Sequence, residues 1–208
     1  MITLSANNLS KWRDHHCVLD SVSFSLSSGE CLWVQGDNGA GKTSLLRILT
    51  GLSQADEGEI YWTETAVDAH SHDYRANMHY VSHRSSLVPH LTVHETIDLL
   101  FPLLGATASS DIELLLEDVG LSRQLGQSVA TLSAGQQQRL GLLRLLARNK
   151  PLWILDEPQS HLDLSGQAWL QKLLSDHVQN NGLLIVVSHS VAMNLPNLHN
   201  LVLENHAE

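Results

Sequence analysis

The sequence predicts an α/β fold in which helices flank a mainly parallel sheet. Short apolar segments typical of buried strands alternate with helical segments along most of the chain, and a glycine-rich loop joins one of these strands to a helix. Between residues 84 and 131 the strand-like alternation is absent, and apolar residues follow a helical spacing instead. We therefore expect a single domain over residues 1–208, with a helical subdomain inserted at about residues 84–131.

The composition indicates a folded domain and argues against some functions. Of the 208 residues, 43% are hydrophobic and 16% are charged, which is typical of a globular protein rather than a disordered one. With 12 basic and 22 acidic residues, the net charge of -10 argues against binding nucleic acid, because neutralising phosphates requires a basic surface. No apolar run approaches the roughly 20 residues of a membrane helix, so we expect no direct membrane insertion.

Local sequence patterns predict the strands and helices in order along the chain. Strands are predicted at residues 22–26, where apolar and polar residues alternate, and at residues 31–35, 60–62, 152–155 and 183–187. Helices are predicted at residues 44–50, around 97–100, 112–119, 136–148 and 169–174, with breaks at Gly51, Pro102, residues 105–110 and Pro151.

A phosphate-binding loop follows the strand predicted at residues 31–35. Its residues match the pattern GxxxxGK[ST] and are Gly36, Asp37, Asn38, Gly39, Ala40, Gly41, Lys42 and Thr43, with Ser44 next in the helix. Glycines let successive backbone N–H groups point at phosphate oxygens, and the start of the helix adds positive potential. We expect Lys42 to reach the β- and γ-phosphates of ATP and the hydroxyl of Thr43 to ligate Mg²⁺.

An acidic pair ends the apolar strand predicted at residues 152–155. Asp156 is expected to lie beside the phosphate loop and to hold Mg²⁺ through water. Glu157 is then expected to act as the general base that polarises the attacking water. An Asp-Glu pair at a strand end is weak evidence alone, but it gains weight in a chain that already carries a phosphate-binding loop.

The segment Leu132-Ser133-Ala134-Gly135-Gln136 narrows the class of protein. It resembles the LSGGQ signature of ABC transporter ATP-binding subunits, with Ala134 in place of the first glycine, and the resemblance runs from about residue 2 to the C-terminus. It implies a P-loop NTPase core with a mainly parallel sheet, an antiparallel β subdomain and an inserted α-helical subdomain. It also implies that Ser133, Gly135 and Gln136 bind ATP held by a second copy, so that two copies enclose the nucleotide.

The same resemblance assigns roles to other positions. Residues 160–163 are similar to the D-loop, with His161 where alanine is usual, and His189 is similar to the switch histidine that contacts the γ-phosphate. Family spacing places Arg13 at the adenine-stacking position, with Trp12 adjacent. Either side chain could stack on the base, Trp12 by its ring and Arg13 by its guanidinium plane.

His83 stands where the family usually carries a glutamine that touches Mg²⁺ and the attacking water. A histidine can still hydrogen-bond a water, but it adds titration near neutral pH. Residues 79–84, 91–95 and 152–158 also resemble the ATPase subunits of bacterial haem exporters for cytochrome c maturation, which typically carry histidine here. This resemblance implies a motor at the cytoplasmic face of the inner membrane that drives haem export or release of a haem-loaded chaperone, with residues 84–131 docking on integral membrane subunits.

Three alternatives remain open on the sequence. An ABC transporter ATPase for another cargo would share all the ATP-binding motifs, although it would more often carry glutamine at position 83. Soluble ABC proteins that act on DNA or ribosomes usually have tandem cassettes, coiled-coil insertions or basic surfaces, and this acidic single cassette has none. A nucleotide-binding regulatory module without turnover tends to lose the base, whereas Glu157 is present.

Overall fold

The computed structural model describes residues 1–83, 86–103, 112–188 and 194–205. The chain divides into two compact units. The first contains Met1–Tyr80, Lys150–Glu157 and Leu174–Glu208, and the second contains Val81–Asn149 and Pro158–Leu173. The insertion expected at residues 84–131 falls within the second unit, and its boundaries stay a prediction.

Strands and helices are numbered along the described residues. The strands are β1 (Thr3–Arg13), β2 (His16–Ser27), β3 (Cys31–Gln35), β4 (Glu57–Trp62), β5 (Thr65–Val67), β6 (Met78–Val81), β7 (Leu152–Asp156), β8 (Leu183–Val187) and β9 (Leu198–Val202). The α-helices are α1 (Lys42–Leu49), α2 (His72–Arg75), α3 (Val93–Leu103), α4 (Ile112–Asp118), α5 (Ala134–Leu142), α6 (Arg144–Ala147) and α7 (Leu164–Gln179). Short 3-10 helices lie at Ser122–Gln124 and Val129–Thr131.

Two sheets organise the first unit. The larger has the strand order β6-β7-β8-β3-β9, and the pairs β7–β8, β8–β3 and β3–β9 are parallel. The smaller has the order β2-β1-β4-β5, and each of its pairs is antiparallel. The structure therefore confirms the mainly parallel core sheet and the antiparallel sheet.

The parallel sheet determines where the functional loops emerge. Every residue of β7 and β8 is buried, which explains why these strands are continuous apolar runs in the sequence rather than alternating ones. Leu45, Leu46 and Leu49 of α1 belong to the same buried core. Because parallel strands end at the same edge of a sheet, the residues that directly follow β3 and β7, and Ser188 after β8, gather there.

Two helical expectations differ from the structure. α3 (Val93–Leu103) includes Pro102, although a break in the helix is expected there. The helix expected at residues 136–148 is instead divided at Leu143 into α5 and α6. The break expected at residues 105–110 lies outside the described residues.

The second unit has its own hydrophobic core and an exposed apolar surface. Its buried residues include Val93, Ile97, Phe101, Leu116, Val119, Leu121, Leu140 and Leu143. On α3, Leu99 is 45% exposed and Leu103 is 73% exposed, and Leu114 of α4 is 61% exposed. No helix among the described residues is long and apolar enough to cross a membrane.

Candidate functional site

The phosphate loop between β3 and α1 follows a path that requires glycine. Gly36 and Gly41 have φ angles of 144° and 86°, in the region that side chains disfavour. A Cβ at Gly36 would lie 2.5 Å from the carbonyl oxygen of Leu203, and a Cβ at Gly41 would lie 2.4 Å from that of Val18. The backbone carbonyl groups of Val18 in β2 and of Leu203, directly after β9, therefore pack closely against the loop.

The other residues of the loop divide into an exposed rim and a buried base. Asp37, Asn38 and Gly39 are exposed, and Gly39 also has a positive φ of 91°. Ala40 is only 2% exposed, and its N–H donates to the carbonyl oxygen of Asp37 at 3.2 Å. The rim is therefore accessible, while a tight turn at the base holds its shape.

Lys42 is directed back onto this loop. Its Nζ donates to the carbonyl oxygens of Gly36 at 2.7 Å and Asp37 at 2.8 Å, and the residue is 8% exposed. These bonds offset the cost of burying an ammonium group. Gly41 precedes α1 without a side-chain cap, so the first N–H groups of the helix remain available to an anion, with Ser44 half-buried in the first turn. A cation and an uncapped helix start together suit a polyphosphate.

Thr43 and Asp156 lie together, as the sequence predicts. The Thr43 hydroxyl donates to Asp156 Oδ2 at 3.2 Å, although 113 positions separate the two residues. Asp156 is the last residue of β7 and is 3% exposed. Burial, and after it the charge of Asp156, raises the pKa of Tyr80 to about 12. A hydroxyl and a carboxylate are the hard oxygen ligands that Mg²⁺ prefers, so the pair fits a magnesium ion.

Glu157 has an unusual backbone conformation for a glutamate. Its φ angle is +51°, in the left-handed region, and its N–H donates to the carbonyl oxygen of Val187 at 2.9 Å. The chain therefore turns sharply after β7 while remaining tied to the end of β8. Non-glycine residues in this region store strain and are concentrated at functional sites.

The candidate adenine-stacking residues lie at the hairpin between β1 and β2. In the antiparallel pairing of β1 with β2, Trp12 lies opposite Cys17 and Arg13 lies opposite His16. Trp12 is 40% exposed. The backbone N–H of Trp12 donates to Asp56 Oδ2 at 2.7 Å, so Asp56 holds the end of β1. Both candidates are accessible at this hairpin, and the choice between them stays open.

The two candidate histidines differ in what the structure describes. His83 is exposed, belongs to the second unit and follows the end of β6 by two residues, which agrees with its expected position at a strand end. His189 follows β8 by two residues in the sequence and lies outside the described residues.

The signature segment begins α5 in the second unit. The Ser133 hydroxyl accepts from the N–H of Gln136 at 3.2 Å, and Gln136 Oε1 accepts from the N–H of Ser133 at 2.9 Å. This reciprocal capping box fixes the start of the helix. A Cβ at Gly135 would lie 2.7 Å from the carbonyl oxygen of His161, whereas Ala134 is exposed. The chain therefore tolerates alanine at position 134 but needs glycine at position 135.

Sequence reasoning missed three contributors to the site. Asp56 carries no motif, and it reaches the Trp12 backbone from a position 44 residues away. Val18 and Leu203 contribute backbone carbonyls, which no side-chain pattern reveals. The short apolar run at residues 201–203 is the one, weak signal that could have indicated the strand leading to Leu203.

Comparison with known proteins identifies the family. Residues 19–160 match the family model described as ABC transporter. A protein of Nitrosomonas europaea named "Cytochrome c biogenesis ATP-binding export protein CcmA" is 37% identical over 202 residues, which are 96% of this chain and 95% of that protein. Proteins of the same name from Haemophilus influenzae and Vibrio vulnificus are 38% and 36% identical over 187 residues, covering 89% of this chain and 88% and 91% of theirs.

The chain belongs to the ABC transporter family, in the branch of the cytochrome c biogenesis ATP-binding export proteins.

As a member of this family, the protein is an ATP-binding ATPase. Solved structures agree with the fold. An ATP-binding subunit of an ABC transporter superposes with a TM-score of 0.86 at 24% identity, covering 98% of this chain and 86% of that chain. An ATP-binding cassette of an ABC transporter in its ADP conformation gives a TM-score of 0.78 at 22% identity, covering 99% and 89%.

Proposed function

We propose that this ABC ATPase is the motor subunit of a transporter complex for cytochrome c biogenesis, where it powers haem export or the release of a haem-loaded chaperone. The names of the relatives in three bacteria support an export role in cytochrome c biogenesis. The hydrogen bond between Thr43 and Asp156 carries the proposal for a hydrolytic motor, because it joins the phosphate loop to the strand that ends beside Glu157.

Thr43 and Asp156 would hold Mg²⁺, with phosphate oxygens and water supplying its other ligands. When bound, the ion neutralises charge that develops on the transferred phosphoryl group. Lys42 would move its donors from the loop carbonyls to the β- and γ-phosphates, and the N–H groups of Gly36–Thr43, with Ser44, would bind phosphate oxygens. Trp12 or Arg13 would stack on adenine.

Glu157 would accept the proton of the attacking water. His83 would hydrogen-bond this water, and His189 would hydrogen-bond the γ-phosphate. Ser133, Gly135 and Gln136 would bind the γ-phosphate of ATP held by a second copy of the chain, because they begin a helix whose N–H groups favour an anion. Each copy would then contribute half of each site.

The protein would work at the cytoplasmic face of the bacterial inner membrane, docked on integral membrane subunits. The exposed Leu99 and Leu103 of α3 favour the second unit as the docking surface. Between residues 86 and 121 the chain contains carboxylates but no lysine or arginine. Cytoplasmic loops of membrane proteins carry an excess of lysine and arginine, so this surface complements them in charge.

The replacement Glu157→Gln tests the hydrolytic role. We expect this variant to bind ATP and to accumulate as an ATP-bound dimer, with turnover reduced about 100-fold or more because the general base is lost. Glu64→Gln is a matched control, since Glu64 is an exposed glutamate with a similar left-handed φ of 65°. Wild-type turnover in Glu157→Gln would refute the assigned role.

Co-purification with membrane proteins tests the pathway. We expect the chain to be isolated from membranes with haem-exporting subunits. Isolation with the membrane subunits of a transporter for a different cargo, and without haem, would favour the alternative of an ABC ATPase serving that cargo.

A further inference from the structure

The helix that begins with the signature segment also holds the stretch of chain that follows Glu157. We propose that Gln138 and Arg139 of α5 are positioning residues that fix residues 158–163 to this helix. The inference rests on the proposed function, in which Ser133 and Gln136 at the start of α5 bind ATP and Glu157 is the base. Three separate contacts within the second unit support it.

The first contact is made by the side chain of Gln138. Its Nε2 donates to the carbonyl oxygen of Pro158 at 2.9 Å, and Pro158 is buried. Pro158 directly follows Glu157 in the sequence and has no N–H of its own to anchor it. Removing the donor would leave a partly buried carbonyl without this partner, which is unfavourable.

The second contact is a close approach of two backbones. The Cα of Gly135 lies against the carbonyl group of His161, as the 2.7 Å distance for an added Cβ indicates. His161 has a positive φ of 65°, so the chain turns at this residue and presents its carbonyl to the helix. α5 therefore contacts the middle of the 158–163 segment without an intervening side chain.

The third contact is an ion pair that also begins α7. The guanidinium of Arg139 pairs with the carboxylate of Asp163 and donates to Ser165 Oγ at 2.7 Å and to the carbonyl oxygen of Val119 at 3.1 Å. Asp163 also accepts the N–H of Gly166 at 2.9 Å and so caps the first turn of α7. The Gly166 N–H, and after it Arg139, hold the pKa of Asp163 below its usual range.

These contacts hold the beginning, the middle and the end of the 158–163 segment on one helix. A packed helix moves as a unit, so a shift of the end that carries Ser133 would be transmitted to Pro158 and to the residue before it in the chain. ATP engaged by the signature segment would thereby set the position of Glu157 in the same chain. Small displacements of a catalytic group have large effects on rate, because the reacting atoms must be aligned.

Two replacements at Gln138 test the first contact. We expect Gln138→Ala to lower the kcat of ATP hydrolysis about tenfold, with the KM for ATP unchanged and the melting temperature lowered by only a few degrees. Gln138→Glu keeps the size of the side chain but replaces the donor with a carboxylate facing a carbonyl oxygen, so it should be at least as impaired. Gln179→Ala is the control, because Gln179 is an exposed helical glutamine whose Nε2 bonds only to Ser175 Oγ among the described contacts.

Neutralisation of the ion pair tests the third contact. Arg139→Gln and Asp163→Asn should each lower kcat, and the double variant should lose little more than the larger single loss, because both changes remove the same ion pair while asparagine can still cap α7. Losses that add in full would overturn the ion pair as a positioning contact, and the melting temperature of each variant would be measured alongside kcat.

Failure of the inference is distinguishable from failure of the proposed function. Wild-type kcat in Gln138→Ala, in a protein whose Glu157→Gln variant is inactive, would overturn only the positioning role. If a loss of stability, measured as a lower melting temperature, accounts for the whole fall in kcat, the positioning role is also overturned. If Glu157→Gln retains full turnover, the proposed function itself is wrong.

Discussion

The indole of Trp153 lies flat against the imidazole of His177, with ring centroids 3.8 Å apart and an interplanar angle of 7°. Trp153 is part of the buried strand β7, and His177 lies near the end of α7 with its Nε2 3.1 Å from the carbonyl oxygen of Leu183. Burial lowers the pKa of His177 to about 4, although backbone hydrogen bonds to Leu183 and Pro151 oppose this shift. The stack therefore contains a neutral imidazole at physiological pH.

This pKa predicts that the protein loses stability as the pH falls from about 6.5 to about 4. In the unfolded chain the imidazole binds a proton below about 6.5, whereas in the folded protein it remains neutral until about 4. The contribution lost between pH 7.5 and pH 5 is about 2 kcal/mol. Urea unfolding followed by tryptophan fluorescence at both pH values measures it.

The matched variants for this measurement are His177→Gln and His72→Gln. The first should flatten the pH dependence, because the titrating group is gone. The second should leave it unchanged, because the His72 side chain is 95% exposed. An equally steep pH dependence in His177→Gln would assign the effect to other groups.

Adjacent positions in the signature segment should respond differently to a methyl group. Gly135→Ala places a Cβ 2.7 Å from the carbonyl oxygen of His161, so it should cost about 1–3 kcal/mol of stability and lower ATPase activity. Ala134→Gly removes an exposed methyl group and should leave activity within about twofold, at a stability cost below about 1 kcal/mol. Chemical denaturation and steady-state ATPase assays measure both. Equal effects of the two changes would contradict the packing argument.

The Thr43 hydroxyl should determine the requirement for magnesium. Thr43→Val keeps the shape of the side chain but removes the oxygen, so hydrolysis should fall about 100-fold and more Mg²⁺ should be needed for half-maximal rate. Thr43→Ser should retain most of the activity. Titrating Mg²⁺ at saturating ATP makes the comparison, with Thr65→Val as an exposed control. An unchanged magnesium requirement in Thr43→Val would remove Thr43 from the metal site.

Basic replacements on α3 should separate docking from nucleotide binding. Leu99→Lys and Leu103→Lys place positive charge on exposed apolar positions that we expect to face basic loops, so they should abolish co-purification with membrane subunits while ATP binding is retained. Leu99→Met and Leu103→Met preserve the apolar surface and should co-purify normally. Undiminished co-purification of the Lys variants would place the docking surface elsewhere.

Some elements were predictable because their chemistry is local. β7 and β8 are continuous apolar runs, and the phosphate loop has a fixed pattern that leads from strand to helix. β1 is not predicted, because its register shifts between Ala6 and Leu9 and Asn8 has a positive φ of 51°, which interrupts the alternation. β9 lies at the edge of its sheet and is largely exposed, so its apolar pattern is weak.

The site residues that belong to sequence motifs were predictable, whereas the contributions of backbone carbonyl groups were not. Thr43 and Asp156 are recognisable from their motifs, and the structure places them in hydrogen-bond contact. The closure of Leu203 and Val18 on the loop depends on tertiary packing of carbonyl groups. The anchoring of the segment after Glu157 likewise depends on which residues α5 presents to it, which no linear pattern encodes.

The left-handed backbone at Glu157 implies a trade-off between folding and turnover at a single position. Glycine or asparagine would adopt this φ with less strain, by about 1 kcal/mol, but neither supplies a carboxylate. With Glu157 as the proposed general base, the most stable version of this turn would therefore be an inactive one. A screen for thermal stability alone would select against the base, whereas a screen for turnover would retain the strained glutamate.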